Sequence, residues 1–147
     1  MNKPREIKFR AWDMDKKEMF VPMYLCQMDT LIVPFDGDYP SDVYPKSRPV
    51  ELMQFTGLKD KHGKEIYEGD ILKDPAHYPN GYQHSLNNQT GVAYYDTELG
   101  GWYITNNLTD GKHETPNPQT LQLATAKNYE VIGNIYENKE LLEVENE

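Results

Sequence analysis

The segment that most constrains the fold is Leu52–Leu72, with the sequence LMQFTGLKDKHGKEIYEGDIL. Its apolar residues form short runs on either side of a charged stretch, and glycines stand at Gly57, Gly63 and Gly69. Because glycine adopts positive φ without steric cost, these glycines predict sharp backbone turns. The aspartate after the last glycine, Asp70, is expected to accept backbone N–H groups of its turn. The segment therefore predicts successive strands joined by tight turns, at the start of a small β-barrel.

Alternation of apolar and polar residues predicts further strands on both sides of this segment. Two hairpins and a late strand are expected, whereas residues 25–33 fit a short helix and a strand equally well. Asn138 is a suitable N-cap for a short last helix through Leu141, Leu142 and Val144. The predicted strands are residues 7–12 and 19–24 around a turn at 13–18, residues 91–96 and 101–105 around a turn at 97–100, and residues 129–136.

Three polar stretches rich in turn-forming residues separate these elements. Residues 34–49 contain four prolines, which supply no donor to a strand ladder. Residues 74–90 and 106–120 likewise contain no apolar run and are predicted to be loops. We therefore predict a mainly β chain with two domains, an N-terminal region at 1–49 that contains the hairpin and the proline-rich linker, and a barrel at 50–147.

Charge and cysteine content exclude several classes of protein. The net charge of −9 gives no general attraction to phosphate backbones or anionic membranes. The single cysteine, Cys26, excludes an intramolecular disulfide and a multi-cysteine zinc site, which fits a reducing cytosol. No stretch approaches the ~20 apolar residues of a membrane-spanning helix. We expect a cytoplasmic protein that needs no cofactor.

The sequence contains no recognisable catalytic constellation. The four histidines, His62, His77, His84 and His113, show no helical i, i+4 spacing, and three of them lie in predicted loops. The acidic turn at 13–18 lacks the glycine and the final glutamate of a calcium loop. Glu65, Glu68 and Asp70 lie close together, but general acid–base catalysis requires one carboxyl in an apolar setting. We predict no catalytic and no metal-ligating residues, with an uncharacterised enzyme as an alternative.

The candidate interaction surface combines two groups of side chains. An aromatic hairpin carries Tyr94, Tyr95, Trp102 and Tyr103, and a basic hairpin tip carries Lys59, Lys61 and Lys64. Exposed aromatic rings on a small barrel favour contact with a protein partner, and exposed strand edges favour a homo-oligomer. Rings beside lysines are also typical of nucleic-acid binding, an alternative that the net charge disfavours.

Three ordered stretches, IKFRAWD, LMQFTGLKDKHGKEIYEGDIL and YEVIGNIYENKELL, resemble the signatures of the YopX family of phage and prophage proteins. The resemblance covers about 50 residues at both ends and the centre of the chain. It implies an SH3-like barrel from about residue 50 onward, a separate N-terminal region, and a phage or prophage origin in a bacterial cytoplasm. It implies no activity, because none is established for the family. Lys139 departs from the proline that the family often has after the Asn138 cap.

Overall fold

The computed structural model describes residues 4–25, 32–34, 50–74, 90–105, 119–120 and 126–142. Most of the predicted loops at 34–49, 74–90 and 106–120, together with Cys26, His77, His84, His113 and Val144, lie outside these ranges. The described chain is mainly β, and all its strand pairs are antiparallel. It divides into two compact units, Ile7–Gln54 and Phe55–Glu147 with Met1–Glu6.

The first unit is built on the predicted hairpin. Strand β1 pairs with β2 on one side and with the first half of β5 on the other, while β3 pairs with β4. Trp12 and Met53 are buried in this unit. The stretch at 25–33 takes part in strand structure at both ends, since Leu25 ends β3 and Ile32 begins β4. The strands are β1 (Phe9–Asp13), β2 (Glu18–Phe20), β3 (Pro22–Leu25), β4 (Ile32–Pro34) and β5 (Val50–Lys59).

The second unit contains the rest of β5 and a five-stranded sheet that forms a half-barrel. The second half of β5 pairs with β6, and the sheet has the order β10-β9-β8-β7-β11. One face of this sheet covers a core cluster of Ile66, Leu72, Ala93, Ile104, Ala126, Tyr129 and Val131. The elements are β6 (Glu65–Tyr67), β7 (Asp70–Lys73), β8 (Thr90–Asp96), β9 (Gly101–Thr105), β10 (Gln119–Thr120), β11 (Glu130–Asn134) and a 3-10 helix (Lys139–Leu142).

Three turns of the chain use the same side-chain device. The Oδ1 atoms of Asp13, Asp96 and Asn134 each accept the backbone N–H groups two and three residues later, at 2.8–3.0 Å. Each carbonyl also accepts the N–H group four residues later, at 2.8–2.9 Å. In the two hairpins that fourth residue has positive φ, 57° at Lys17 and 68° at Gly100. These turns are therefore fixed by local hydrogen bonds.

Two elements near the C-terminal end differ from the sequence-based prediction. The predicted short helix is a single 3-10 turn, because the N–H of Leu141 bonds the Asn138 carbonyl three residues earlier at 3.0 Å. The side chain of Asn138 turns back, and its Oδ1 accepts the N–H of Asn134 at 3.3 Å. The predicted loop at 106–120 ends in strand β10, which pairs with β9.

Candidate functional site

The charged tip between β5 and β6 is organised by a buried carboxylate, Asp60, which is 5% exposed. Its Oδ1 accepts the N–H groups of His62 and Lys64 at 2.8 and 2.9 Å. Its Oδ2 accepts the N–H of Val131 at 3.0 Å. Burial alone would raise the pKa of Asp60, but the three backbone donors and the neighbouring His62 outweigh it and lower that pKa.

These bonds attach the tip to the edge strand β11. Besides the Asp60–Val131 bond, the N–H of Lys61 donates to the Tyr129 carbonyl at 2.9 Å. Farther along β11, the side chain of Asn138 accepts the N–H of Asn134. Backbone groups on the outer side of β11 are thus satisfied near both of its ends, which removes hydrogen-bonding partners that an incoming strand would need.

The tip presents lysines to solvent, and one of them pairs with Glu130 on β11. Lys61 Nζ lies 2.5 Å from Glu130 Oε2, and His62 Nε2 lies 3.7 Å from Oε1. The hydrogen bond from Lys61 is the main cause that lowers the pKa of Glu130, and the charges of His62 and Lys73 act in the same direction. We call Lys59, Lys61, Lys64, Lys73 and Lys127 the lysine surface.

The positions of the other four lysines follow from the backbone of the tip, of β7 and of the turn before β11. Lys59 and Lys64 flank Asp60 in the tip, Lys73 pairs with Glu130 between β7 and β11, and Lys127 lies in the turn that leads into β11. All five lysines are solvent-exposed. Within the described part of the chain, Lys61 is the one member of the surface that forms an ion pair. The same segments also carry the half-exposed Glu65, Glu68 and Glu130, on a chain with a net charge of −9.

The glycines of the predicted turns adopt the positive φ that the backbone of this segment requires. Gly57, Gly63 and Gly69 have φ of 84°, 81° and 79°, a region that L-residues rarely adopt. At Gly57 the register of β5 against β6 shifts, so that residues 56–58 stand opposite Ile66 alone. The Thr56 hydroxyl spans this bulge, since it donates to the Ile66 carbonyl at 2.8 Å and accepts the N–H of Leu58 at 3.1 Å.

The bend before β7 has the geometry expected for a glycine–aspartate pair. Asp70 is 1% exposed, and its Oδ2 accepts the N–H of Tyr67 at 2.8 Å. The N–H of Gly69 donates to the Ala93 carbonyl at 2.8 Å, and its carbonyl accepts the N–H of Ile135 at 2.9 Å. The backbone of Gly69 thus ties the bend both to β8 and to the turn after β11.

The four aromatic residues of the predicted surface divide between the two faces of the β8–β9 hairpin. Tyr94 pairs with Tyr103 across the strands, and Tyr95 pairs with Trp102. Tyr94 is only 3% exposed, with its ring centroid 6.1 Å from that of Tyr103, so it is a buried structural residue. Tyr95 is 42% exposed and meets Trp102 edge to face, with a centroid distance of 5.1 Å.

The hairpin end adds an aliphatic side chain to that aromatic pair. Leu99, in the turn held by Asp96, is 57% exposed, and Trp102 packs its other side against the core cluster. We call Tyr95, Trp102 and Leu99 the aromatic end. Its neighbours Asp96 and Glu98 make it locally acidic.

The structure separates Tyr95 from Lys73 along the five-stranded sheet. Lys73 pairs with Thr90 at the start of β8, whereas Tyr95 lies five residues farther along the same strand. At a rise of about 3.4 Å per residue, these positions are about 17 Å apart. The tip is not part of this sheet, and Leu58 beside it packs against the same core cluster as Trp102.

Sequence reasoning missed Asp60 and Glu130 as organising residues. The signal for Asp60 was local, because an aspartate followed three residues later by glycine is typical of a turn held by the side chain. Nothing local indicated its bond to Val131, which lies 71 residues away. Among the described residues, no group of three or more His, Cys, Asp or Glu side chains is placed to hold a metal ion. The described part of the chain also contains no helix long and apolar enough to span a membrane.

Comparison with known proteins places nearly the whole chain in one family. No curated protein matches it. The crystal structure of protein EF1440 from Enterococcus faecalis is similar, with 30% sequence identity and a TM-score of 0.59, over 95% of this chain and 100% of that chain. The model of the family described as YopX protein matches residues 8–143. The chain therefore belongs to the YopX family.

Proposed function

We propose that this chain is a non-enzymatic module of phage or prophage origin that acts in the host cytoplasm by contacting other protein chains, including copies of itself. The observation that carries the proposal is the aromatic end. There Tyr95 stands half-exposed against Trp102, and Leu99 beside it is 57% exposed. Aromatic side chains contribute large contact areas at protein interfaces with little loss of conformational freedom.

The rigidity of the hairpin supports this assignment. The Asp96 carboxylate accepts two N–H groups of the turn at 2.9 Å, and Trp102 packs against the core cluster. A contact surface that is ordered before binding loses less conformational entropy on association. The aromatic end is thus suited to be the centre of an interface.

The use of buried carboxylates supports a non-enzymatic role. Three of the four buried aspartates in the described residues, Asp13, Asp60 and Asp70, accept backbone N–H groups. Their burial therefore serves the backbone, in the way expected of structural carboxylates.

We also propose that the second unit is an SH3-like barrel, completed from its half-barrel by the end of β5 and by β6. The short antiparallel strands, the bulge at Gly57 and the sharp bend at Gly69 support this, because bulges and bends let a small sheet curve toward closure. A barrel of this kind leaves its hairpin ends free to carry contacts.

Light scattering over a range of concentrations tests self-association. We expect a mass well above the 17.1 kDa of one chain, and we expect Tyr95→Ser with Leu99→Ser to return it to that value. Val21→Ser is the matched control, because Val21 is 75% exposed in the other unit. A monomer at high concentration would refute self-association, and an equal effect of Val21→Ser would move the interface to the first unit.

A further inference from the structure

We propose that the lysine surface binds the phosphodiester backbone of single-stranded nucleic acid without reading the bases. This inference is independent of the proposed protein contact, because it concerns residues outside the aromatic end. It begins from a group of exposed charges. Five exposed lysines lie in the tip, on β7 and in the turn before β11, beside the half-exposed Glu65, Glu68 and Glu130. Lys61 alone among these lysines forms an ion pair within the described residues.

The surface is held in place although its lysines contribute little to the fold. The buried Asp60 carboxylate accepts the N–H groups of His62 and Lys64 within the tip, and it attaches the tip to β11 by accepting the N–H of Val131. The exposed charges of Lys59 and Lys64 are thereby carried on a defined backbone. Preorganised cations attract an anion with less loss of conformational freedom than cations on a loose loop.

Glu130 shows which ligand chemistry the surface accepts. Its carboxylate is held by Lys61 at 2.5 Å and approached by His62 at 3.7 Å, so these side chains already coordinate an oxyanion. Phosphate oxygens present the same acceptor chemistry to an ammonium group. Because Lys61 is engaged with Glu130, an incoming phosphate first meets the other four lysines.

The absence of apolar surface favours nucleic acid over an acidic protein as the ligand. None of the large hydrophobic side chains exposed in the described residues belongs to the tip at 58–64, to β7 or to β11. A protein interface draws affinity from a desolvated apolar centre, whereas binding to a phosphate backbone depends chiefly on cations that release counterions. The lysine surface supplies cations but no apolar centre.

The charges on the two surfaces determine the mode of binding. Tyr95 of the aromatic end lies about 17 Å along the sheet from Lys73. Its acidic neighbours Asp96 and Glu98 also repel phosphate. Binding at the lysine surface is therefore sequence-independent and steeply dependent on salt.

Fluorescence anisotropy with a labelled oligothymidylate and an abasic strand of equal length tests the inference at low and rising salt. Neutralisation of four phosphates predicts a slope of log K against log salt of about −2.8 for a single strand. The two strands should bind equally. We expect Lys59→Glu with Lys64→Glu to weaken binding more than about tenfold and to reduce the slope to about −1.4.

A matched control separates position from net charge. Lys16→Glu with Lys139→Glu brings the net charge from −9 to −13, as the lysine-surface pair does, but both sites are outside the surface. We expect this control to keep the slope, and Glu130→Gln to tighten binding because it releases Lys61. Thermal unfolding of each variant verifies that it folds.

Several outcomes would overturn the inference. They are no binding at low salt, equal losses in the control, or clearly weaker binding of the abasic strand, which would assign binding to bases. Polyglutamate that competes as well as the oligonucleotide would assign the surface to acidic protein segments instead. The self-association measured through Tyr95 and Leu99 is unaffected by any of these results.

Discussion

Replacement of Asp60 tests whether one buried carboxylate holds the tip on β11. In Asp60→Ala the buried N–H of Val131 loses its acceptor, which costs about 1–3 kcal/mol. The N–H groups of His62 and Lys64 lie on an exposed turn where water can replace the carboxylate, so each adds about 0.5–1 kcal/mol. We expect the free energy of unfolding to fall by about 2–5 kcal/mol.

Asparagine at position 60 keeps the size of the side chain and changes only its charge and hydrogen bonding. In Asp60→Asn the Oδ1 bonds can persist, but an amino group replaces Oδ2 and cannot accept the N–H of Val131. We expect a loss of about 1–3 kcal/mol. Asp96→Asn is the control with an expected change below about 0.5 kcal/mol, because Asn134 already holds an equivalent turn with an amide oxygen.

The assay is chemical denaturation at neutral pH, together with amide hydrogen exchange at Val131. Exchange at that amide should accelerate in Asp60→Asn and remain unchanged in Asp96→Asn. If both variants lose equally little stability and the exchange of Val131 does not change, the carboxylate does not fasten the tip and the reasoning is refuted.

The pH dependence provides a second measurement of the same bond. The pKa of Asp60 in the folded protein is lower than its ordinary value of 3.8. A carboxyl shifted in this direction stabilises the fold above the unfolded-state pKa, and that stabilisation is lost as the pH falls through the folded-state pKa. The stability difference between the wild type and Asp60→Asn should therefore be complete at neutral pH and decrease below about pH 3.8.

Three further predictions concern the backbone of the turns. Lys17 and Gly100 occupy equivalent turn positions with positive φ, so Lys17→Gly should raise the free energy of unfolding by about 0.5–1 kcal/mol and Gly100→Lys should lower it by about 1–2, as measured by denaturation. A Cβ atom at Gly133 would lie 2.8 Å from the Asn138 Cβ, so Gly133→Ala should lower the melting temperature, and an unchanged value would mean that Asn138 moves aside freely. Gly69→Val should cost about 1–3 kcal/mol because φ is 79°, and a wild-type melting temperature would contradict the strained bend.

Much of the second unit was predictable because its signals are local. Positive φ has few solutions other than glycine, so the turns at Gly57, Gly63 and Gly69 could be read directly from the sequence. The four-residue turn between β8 and β9 also fixed the register that opposes Tyr95 to Trp102. The YopX resemblance, which the comparison confirms, rested in part on the segment that contains these three glycines.

Other features depended on contacts distant in sequence or on small departures from ideal geometry. The alternation over 129–136 predicted a regular strand, but the register shifts at Ile132 and breaks the pattern. Gly133 was the available signal, since glycine inside a strand often marks a bulge. The two residues of β10 are too few for periodicity to detect.

Residues of the tip divide into those that hold the backbone and those whose side chains remain exposed. Asp60 holds the backbone through side-chain hydrogen bonds, and Gly63 does so through its positive φ. The residues available to a partner, such as Lys59 and Lys64, flank these two and have exposed side chains. A charge reversal at those lysines should therefore alter binding with little change in stability, whereas a change at Asp60 should alter stability first. Comparing the two kinds of variant in one binding assay is thus the most direct way to separate scaffold from function in this chain.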